Sequence, residues 1–137
     1  MDYMKVQIQE GLPWAAENMP RFDSPRDAWR WFKMHTMFHP DPKGTELLMT
    51  LPTFFENNWF GKPGAGDCDD LVIAVTTTLR AQGFQVTVYL GGRSKAQPVH
   101  IWNGITWKGK EYLFDLTEPH FDTERQYKYV QPLYVYL

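Results

Sequence analysis

One cysteine, Cys68, in 137 residues excludes an internal disulfide and any scaffold of bridges. No stretch approaches the roughly 20 apolar residues of a membrane helix; the most apolar run covers only residues 71–75. The opening decapeptide, MDYMKVQIQE, lacks the apolar segment of a secretory signal. Neither sign of charge dominates. Against 14 Lys and Arg stand 16 Asp and Glu, for a net charge of −2, so the broad basic surface of a nucleic-acid binder is missing. Repeats, low-complexity tracts and linkers are missing too, which predicts a single domain over residues 1–137. These absences point to a cytoplasmic protein with no nucleic-acid and no membrane partner.

Aromatic residues are abundant: six Trp, seven Tyr and nine Phe make up 16% of the chain, enough for a well-filled core. Val6 and Ile8 alternate with Gln7 and Gln9, which suggests a short strand or extended arm broken by Gly11 and Pro13. Ser24 as N-cap and Pro25 at the first position predict a helix that runs through Ala28, Trp31, Phe32 and His35 to about Phe38, before Pro40 and Pro42. Residues 45–58, with Pro52 in the middle, read as a helical turn and a second short helix, and residues 61–66 (GKPGAG) as a loop. Cys68, Leu71, Val72, Val75 and Leu79 then mark one face of a helix, with acidic residues in its first turn, Arg80 in its last and Gly83 as its cap.

From Phe84 the period changes to two. Residues 84–90 read as a strand closed by Gly91 and Gly92. Residues 98–107 and 111–117 read as two more, joined by a hairpin turn at Lys108, Gly109 and Lys110. A last extended stretch, residues 127–137, is rich in tyrosine and interrupted by Pro132, hence an edge strand and a candidate self-association surface. Helices first and strands afterwards define the α+β class.

Cys68 opens its helix directly after the Gly-rich loop. A helix N-terminus favours the thiolate, the nucleophilic form. Gly64 and Gly66 let a substrate carbonyl approach the backbone, and the Cys68 N–H is placed to receive an oxyanion. An inert, buried cysteine is the plainer reading. A thiolate needs a base, and His100 lies in an apolar strand on the same face as Trp102. Asp115 interrupts another apolar strand, where a half-buried carboxylate needs a partner. The hairpin makes these strands neighbours, so Asp115 can hold the His100 ring.

These residues resemble a known pattern. Gly66-Asp67-Cys68-Asp69-Asp70, Leu79-Arg80-Ala81-Gln82-Gly83, His100-Ile101-Trp102, and Trp107 with Phe114-Asp115-Leu116-Thr117 are similar to the core motifs of the transglutaminase-like family, in order, over about residues 61–119. The resemblance implies a papain-like α+β fold with the Cys-bearing helix on an antiparallel sheet. It also implies Cys68 as nucleophile, His100 as base and acid, and Asp115 as the orienting carboxylate, acting on an amide of a protein or peptide through a thioester. The papain signature itself is missing. So is an EF-hand calcium loop, and the chain is small for a cross-linking enzyme, so a peptidase or amidase is expected over a cross-linking one. Trp59, Gly66 and Trp102 are the candidates for oxyanion or substrate binding. The alternative is a non-catalytic domain of this fold used for protein binding or assembly. His35 and His39 have helical spacing but lack the glutamate of a zinc helix, Thr36 standing in its place, so neither a metal nor a cofactor is expected.

Overall fold

The computed structural model describes residues 2–38, 64–66, 68–94, 97–124 and 126–136. The stretch 45–58, the loop residues 61–63, His39 and Trp59 lie outside them. Among the described residues, three helices and six strands follow in order: α1 (Asp2–Asn18), α2 (Pro25–His35), β1 (Thr36–Phe38), β2 (Gly64–Gly66), α3 (Cys68–Ala81), β3 (Gln85–Ser94), β4 (Gln97–Trp107), β5 (Lys110–Phe114) and β6 (Tyr129–Tyr136). The last four strands form an antiparallel sheet in the order β5-β4-β3-β6. Helix α3 packs on β3 and β4, and α1 packs on α3. This is the α+β arrangement expected.

Helix α3 holds the molecule together. The apolar spacing predicted one buried face, yet every residue from Asp70 to Leu79 is buried, because the sheet covers one side and α1 the other. Polar residues in this interior pair locally: Thr77 donates to the Ile73 carbonyl at 2.6 Å, and the Asn103 amide of β4 donates to Thr76 Oγ1 at 2.9 Å. The helix ends as its sequence foretold. Gly83 takes φ +88°, its N–H bonds the Arg80 carbonyl at 3.0 Å, and the Phe84 N–H reaches back to the Leu79 carbonyl at 3.0 Å. That pair of bonds is a Schellman motif, which only a left-handed residue at the cap position permits.

The N-terminal segment is a helix, not the strand or arm its first residues suggested. Val6 and Ile8 do not share a face: Val6 is 50% exposed and Ile8 fully buried. The buried positions Met4, Ile8, Gly11 and Ala15 fall at helical intervals, and burying that stripe outweighs the helix-weakening Gly11 and Pro13. Pro13 is exposed, so its ring displaces no core side chain, and its cost lies in the backbone donor it lacks and in crowding the carbonyl one turn earlier. Helix α2 starts where predicted, with Ser24 Oγ accepting from the Asp27 N–H at 3.2 Å, but stops at His35. Residues 36–38 turn extended and pair in parallel with Gly64–Gly66, so the tail of the expected helix and the end of the expected loop are both short strands.

Three strand boundaries also differ. Strand β3 does not close at Gly91 and Gly92 but runs through them to Ser94. A Cβ on Gly91 would lie 2.5 Å from the Trp102 ring and 2.8 Å from Tyr127, so glycine here makes room for rings from elsewhere in the chain. Strand β5 ends at Phe114, and residues 115–117 form a turn because the Asp115 side chain takes the Thr117 N–H from the ladder. Tyr127 lies before β6 instead of within it. The hairpin after Trp107 forms at Lys108 and Gly109, both with positive φ (51° and 78°), the two-residue turn whose twist matches the strands. As Pro132 suggested, β6 is an edge strand.

Candidate active site around Cys68, His100 and Asp115

His100 lies near the start of β4, where its register partner is Gly91 of β3. Asp115 is the first residue beyond β5, the strand on the other side of β4. Their side chains meet: His100 Nε2 and Asp115 Oδ2 are 2.7 Å apart, with the two side chains 10% and 4% exposed. Burial pushes the Asp115 carboxyl up, but the hydrogen bond and charge of His100 and two hydrogen bonds from Thr117 outweigh it and hold the carboxyl below its ordinary value. Asp115 is therefore ionised at neutral pH and can only accept. The proton in the 2.7 Å bond belongs to Nε2, and in the neutral ring Nδ1 carries the lone pair that a base needs.

The turn carrying Asp115 is anchored from α2, a helix in which the sequence showed no functional motif. Lys33 Nζ donates to the carbonyls of Leu116 (3.0 Å) and Glu118 (3.1 Å), and Trp29 Nε1 reaches the Asp115 carbonyl at 3.5 Å. These are one turn apart on one helix face. Their partners lie more than 80 positions away in the chain, so no local pattern could have flagged them.

The imidazole itself is backed by rings. His100 stacks on Trp102 (5.6 Å between centroids, 16° between planes), and Trp102 stacks on Tyr89 and on Tyr127. Trp102 is 4% exposed, so it serves this stack as a buried wall. Tyr89 continues the row by donating to the Glu111 carboxylate at 2.7 to 2.8 Å, and burial together with that carboxylate raises the Tyr89 hydroxyl well above its usual range.

Cys68 is the first residue of α3 and is half-buried against the core cluster of Met4, Ile8, Val72 and Ile101. It shares with Trp102, Asp115 and Thr117 the lining of one small cavity of about 10 Å³, room for a single water-sized group. Gly66 is two residues upstream, ending β2 as the parallel partner of Phe38. His35 stacks on Trp31 at 4.2 Å and donates through Nδ1 to the Trp31 carbonyl at 2.7 Å, which occupies it as a packing residue. Trp107 ends β4 at the hairpin, beside Tyr112, away from His100. Among the described residues there is no group of three potential metal ligands, and no helix is long and apolar enough to cross a membrane.

No family model matches this chain, and no curated protein does. Solved structures do match. A candidate protease from Parabacteroides distasonis superimposes with a TM-score of 0.61 at 11% identity, over 82% of this chain and 25% of its own. Legionella pneumophila LapG superimposes with a TM-score of 0.54 at 17% identity, over 98% of this chain and 65% of its own; its calcium-bound form gives 0.51 at 15% identity. This chain thus spans a quarter of the first and 65% of the second. At these identities the likeness concerns the fold, and the fold is transglutaminase-like: helices on a four-stranded antiparallel sheet, with a cysteine at the start of the central helix.

Proposed function

We propose that the protein is a cysteine hydrolase or acyltransferase that attacks an amide of a protein or peptide, working as a peptidase or amidase. The reading is carried by the 2.7 Å pair of His100 with an ionised Asp115, set beside a cavity that the lone cysteine also lines from a helix start. Cys68, as thiolate, adds to the amide carbonyl, and the oxyanion forms near the positive end of α3. Protonated His100 gives its proton to the leaving amine as the C–N bond breaks, leaving a thioester. Water, deprotonated by Nδ1 of His100, then cleaves the thioester; an amine in its place makes the reaction a transfer. Asp115 keeps the ring in one tautomer throughout and stabilises its cationic form.

The test is the rate at which iodoacetamide alkylates Cys68, followed from acidic to alkaline pH in the native protein and in His100→Ala. A single cysteine leaves no ambiguity about the reacting group. The native thiol is expected to react well below the roughly 8.5 of an ordinary cysteine, and His100→Ala to slow it about 10- to 100-fold at neutral pH. An ordinary thiol profile, unchanged by the substitution, overturns the enzyme and leaves a binding domain built on the same fold.

A further inference from the structure

Oxygen Oδ1 of Asp115, the one turned away from His100, is held twice by a single residue. Thr117 donates to it through the backbone N–H at 3.0 Å and through Oγ1 at 2.7 Å. The same hydroxyl lies 3.4 Å from His100 Nε2. Its proton is committed to the carboxylate, so it meets the imidazole only as an acceptor, which again favours hydrogen on Nε2. The backbone bond is what any residue in this turn supplies. The hydroxyl bond is specific to Ser or Thr.

We propose that Thr117 is a positioning residue: its hydroxyl and N–H together occupy Oδ1, so that Oδ2 alone faces His100 and the ring is kept as the Nε2–H tautomer, with Nδ1 left as the base. Without the hydroxyl, Thr117 holds Oδ1 by its backbone N–H alone, and one of the bonds that favour the ionised form of the carboxylate is gone. The titratable groups around this turn, among the described residues, include His100 from β4, Cys68 from α3, Lys33 from α2 and Glu118 within the turn. His100 bonds the carboxylate at Oδ2 and Thr117 bonds it at Oδ1. The lowered proton affinity of Asp115 is consistent with this, since both Thr117 bonds act in that direction.

This inference deepens the proposed function and rests on it for its catalytic meaning, but its test does not use Cys68. Thr117→Val removes the hydroxyl at nearly constant shape, and Thr117→Ser restores it. Carbon-detected NMR of the Asp115 carboxyl through a pH titration, and nitrogen shifts of the His100 ring, read the two consequences directly. In Thr117→Val the proton affinity of Asp115 is expected to rise about three- to tenfold and the preference of His100 for the Nε2–H tautomer to weaken by a smaller factor, since the ionised carboxylate still accepts from Nε2, while Thr117→Ser stays near native. Native values for both readouts in Thr117→Val, or a change in Thr117→Ser as large as in Thr117→Val, overturn the proposal. Should Thr117→Val fail to fold, Thr117→Ala reads the loss of the same bond. A negative alkylation result with His100→Ala would sink the enzyme and leave these readouts unaffected, so the two failures are distinguishable.

Discussion

Helices α1 and α3 lie against each other and run through the same two apolar clusters, yet they are stable for different reasons. Met4 and Ile8 of α1 join Val72 and Ile73 of α3 beneath Cys68, and Ala15 of α1, with Met19 just beyond its end, joins Leu71, Val75 and Leu79 beside α2. Helix α3 carries its own terminal signals: acidic residues in the first turn, Arg80 in the last, a glycine cap. Helix α1 contains Gly11 and Pro13 and has no basic residue in its last turn. One is specified locally; the other is a helix because α3 has a second side to cover. Where a central helix is buried all round, its covering element can be poor in intrinsic propensity and still be helical.

The largest expected effect tests that dependence. Ile8→Ala, at a fully buried position, should cost about 3 kcal/mol in urea unfolding, as removing a core side chain does elsewhere. Pro13→Ala, in the same helix, should raise stability by about 2 kcal/mol by restoring a backbone donor at an exposed position. A cost below about 0.5 kcal/mol for Ile8→Ala would mean that α1 is not held by its buried stripe, and the contrast with α3 would fall.

The next effect separates covering from chemistry through pH. Asp115→Asn should cost about 2 kcal/mol at neutral pH, the loss of charged hydrogen bonds in a buried setting. Because the folded carboxyl titrates below its unfolded value of 3.8, its contribution is present above that value and is lost as pH falls through the lower, folded one. The difference between native and Asp115→Asn should therefore shrink in acid, while the Ile8→Ala deficit should stay. Paired urea titrations at neutral and strongly acidic pH check both. An Asp115→Asn deficit that is the same at both pH values would contradict the ionised pair.

What could be read in advance follows the same division. Helix α3, the N-cap of α2, the hairpin at Lys108 and Gly109, the edge position of β6 and the meeting of His100 with Asp115 all rest on signals within a few residues, or on two strands joined by a tight turn. Helix α1 reads as extended from its sequence because alternation over Val6 to Gln9 is too short to distinguish periods, and Gly11 and Pro13 mask the helical spacing of the buried Met4, Ile8, Gly11 and Ala15. Residues 36–38 and 64–66 pair across a long separation, with glycines that carry no strand signal. Gly91 looked like the end of a strand because the rings that need its missing Cβ, Trp102 and Tyr127, come from elsewhere in the chain. In the site, Thr117 was visible as part of a motif but not as a donor, and Lys33 and Trp29 were invisible because their partners are carbonyls beyond β5.

The smallest effect concerns the end of α3. At Gly83 an added Cβ would meet nothing within 4 Å, and φ is +88°, so Gly83→Ala is a purely conformational change. It should cost about 1 kcal/mol, the penalty of a left-handed L-residue. Gly91→Ala differs in kind, since its Cβ would press on the Trp102 ring that backs His100. The cap substitution should lower the urea midpoint and leave the pH profile of Cys68 alkylation as it was, because the Schellman turn lies at the opposite end of α3 from the cysteine. If instead it altered that profile, the two ends of α3 would be coupled, and the helix could no longer be treated as a rigid beam whose terminal signals act locally.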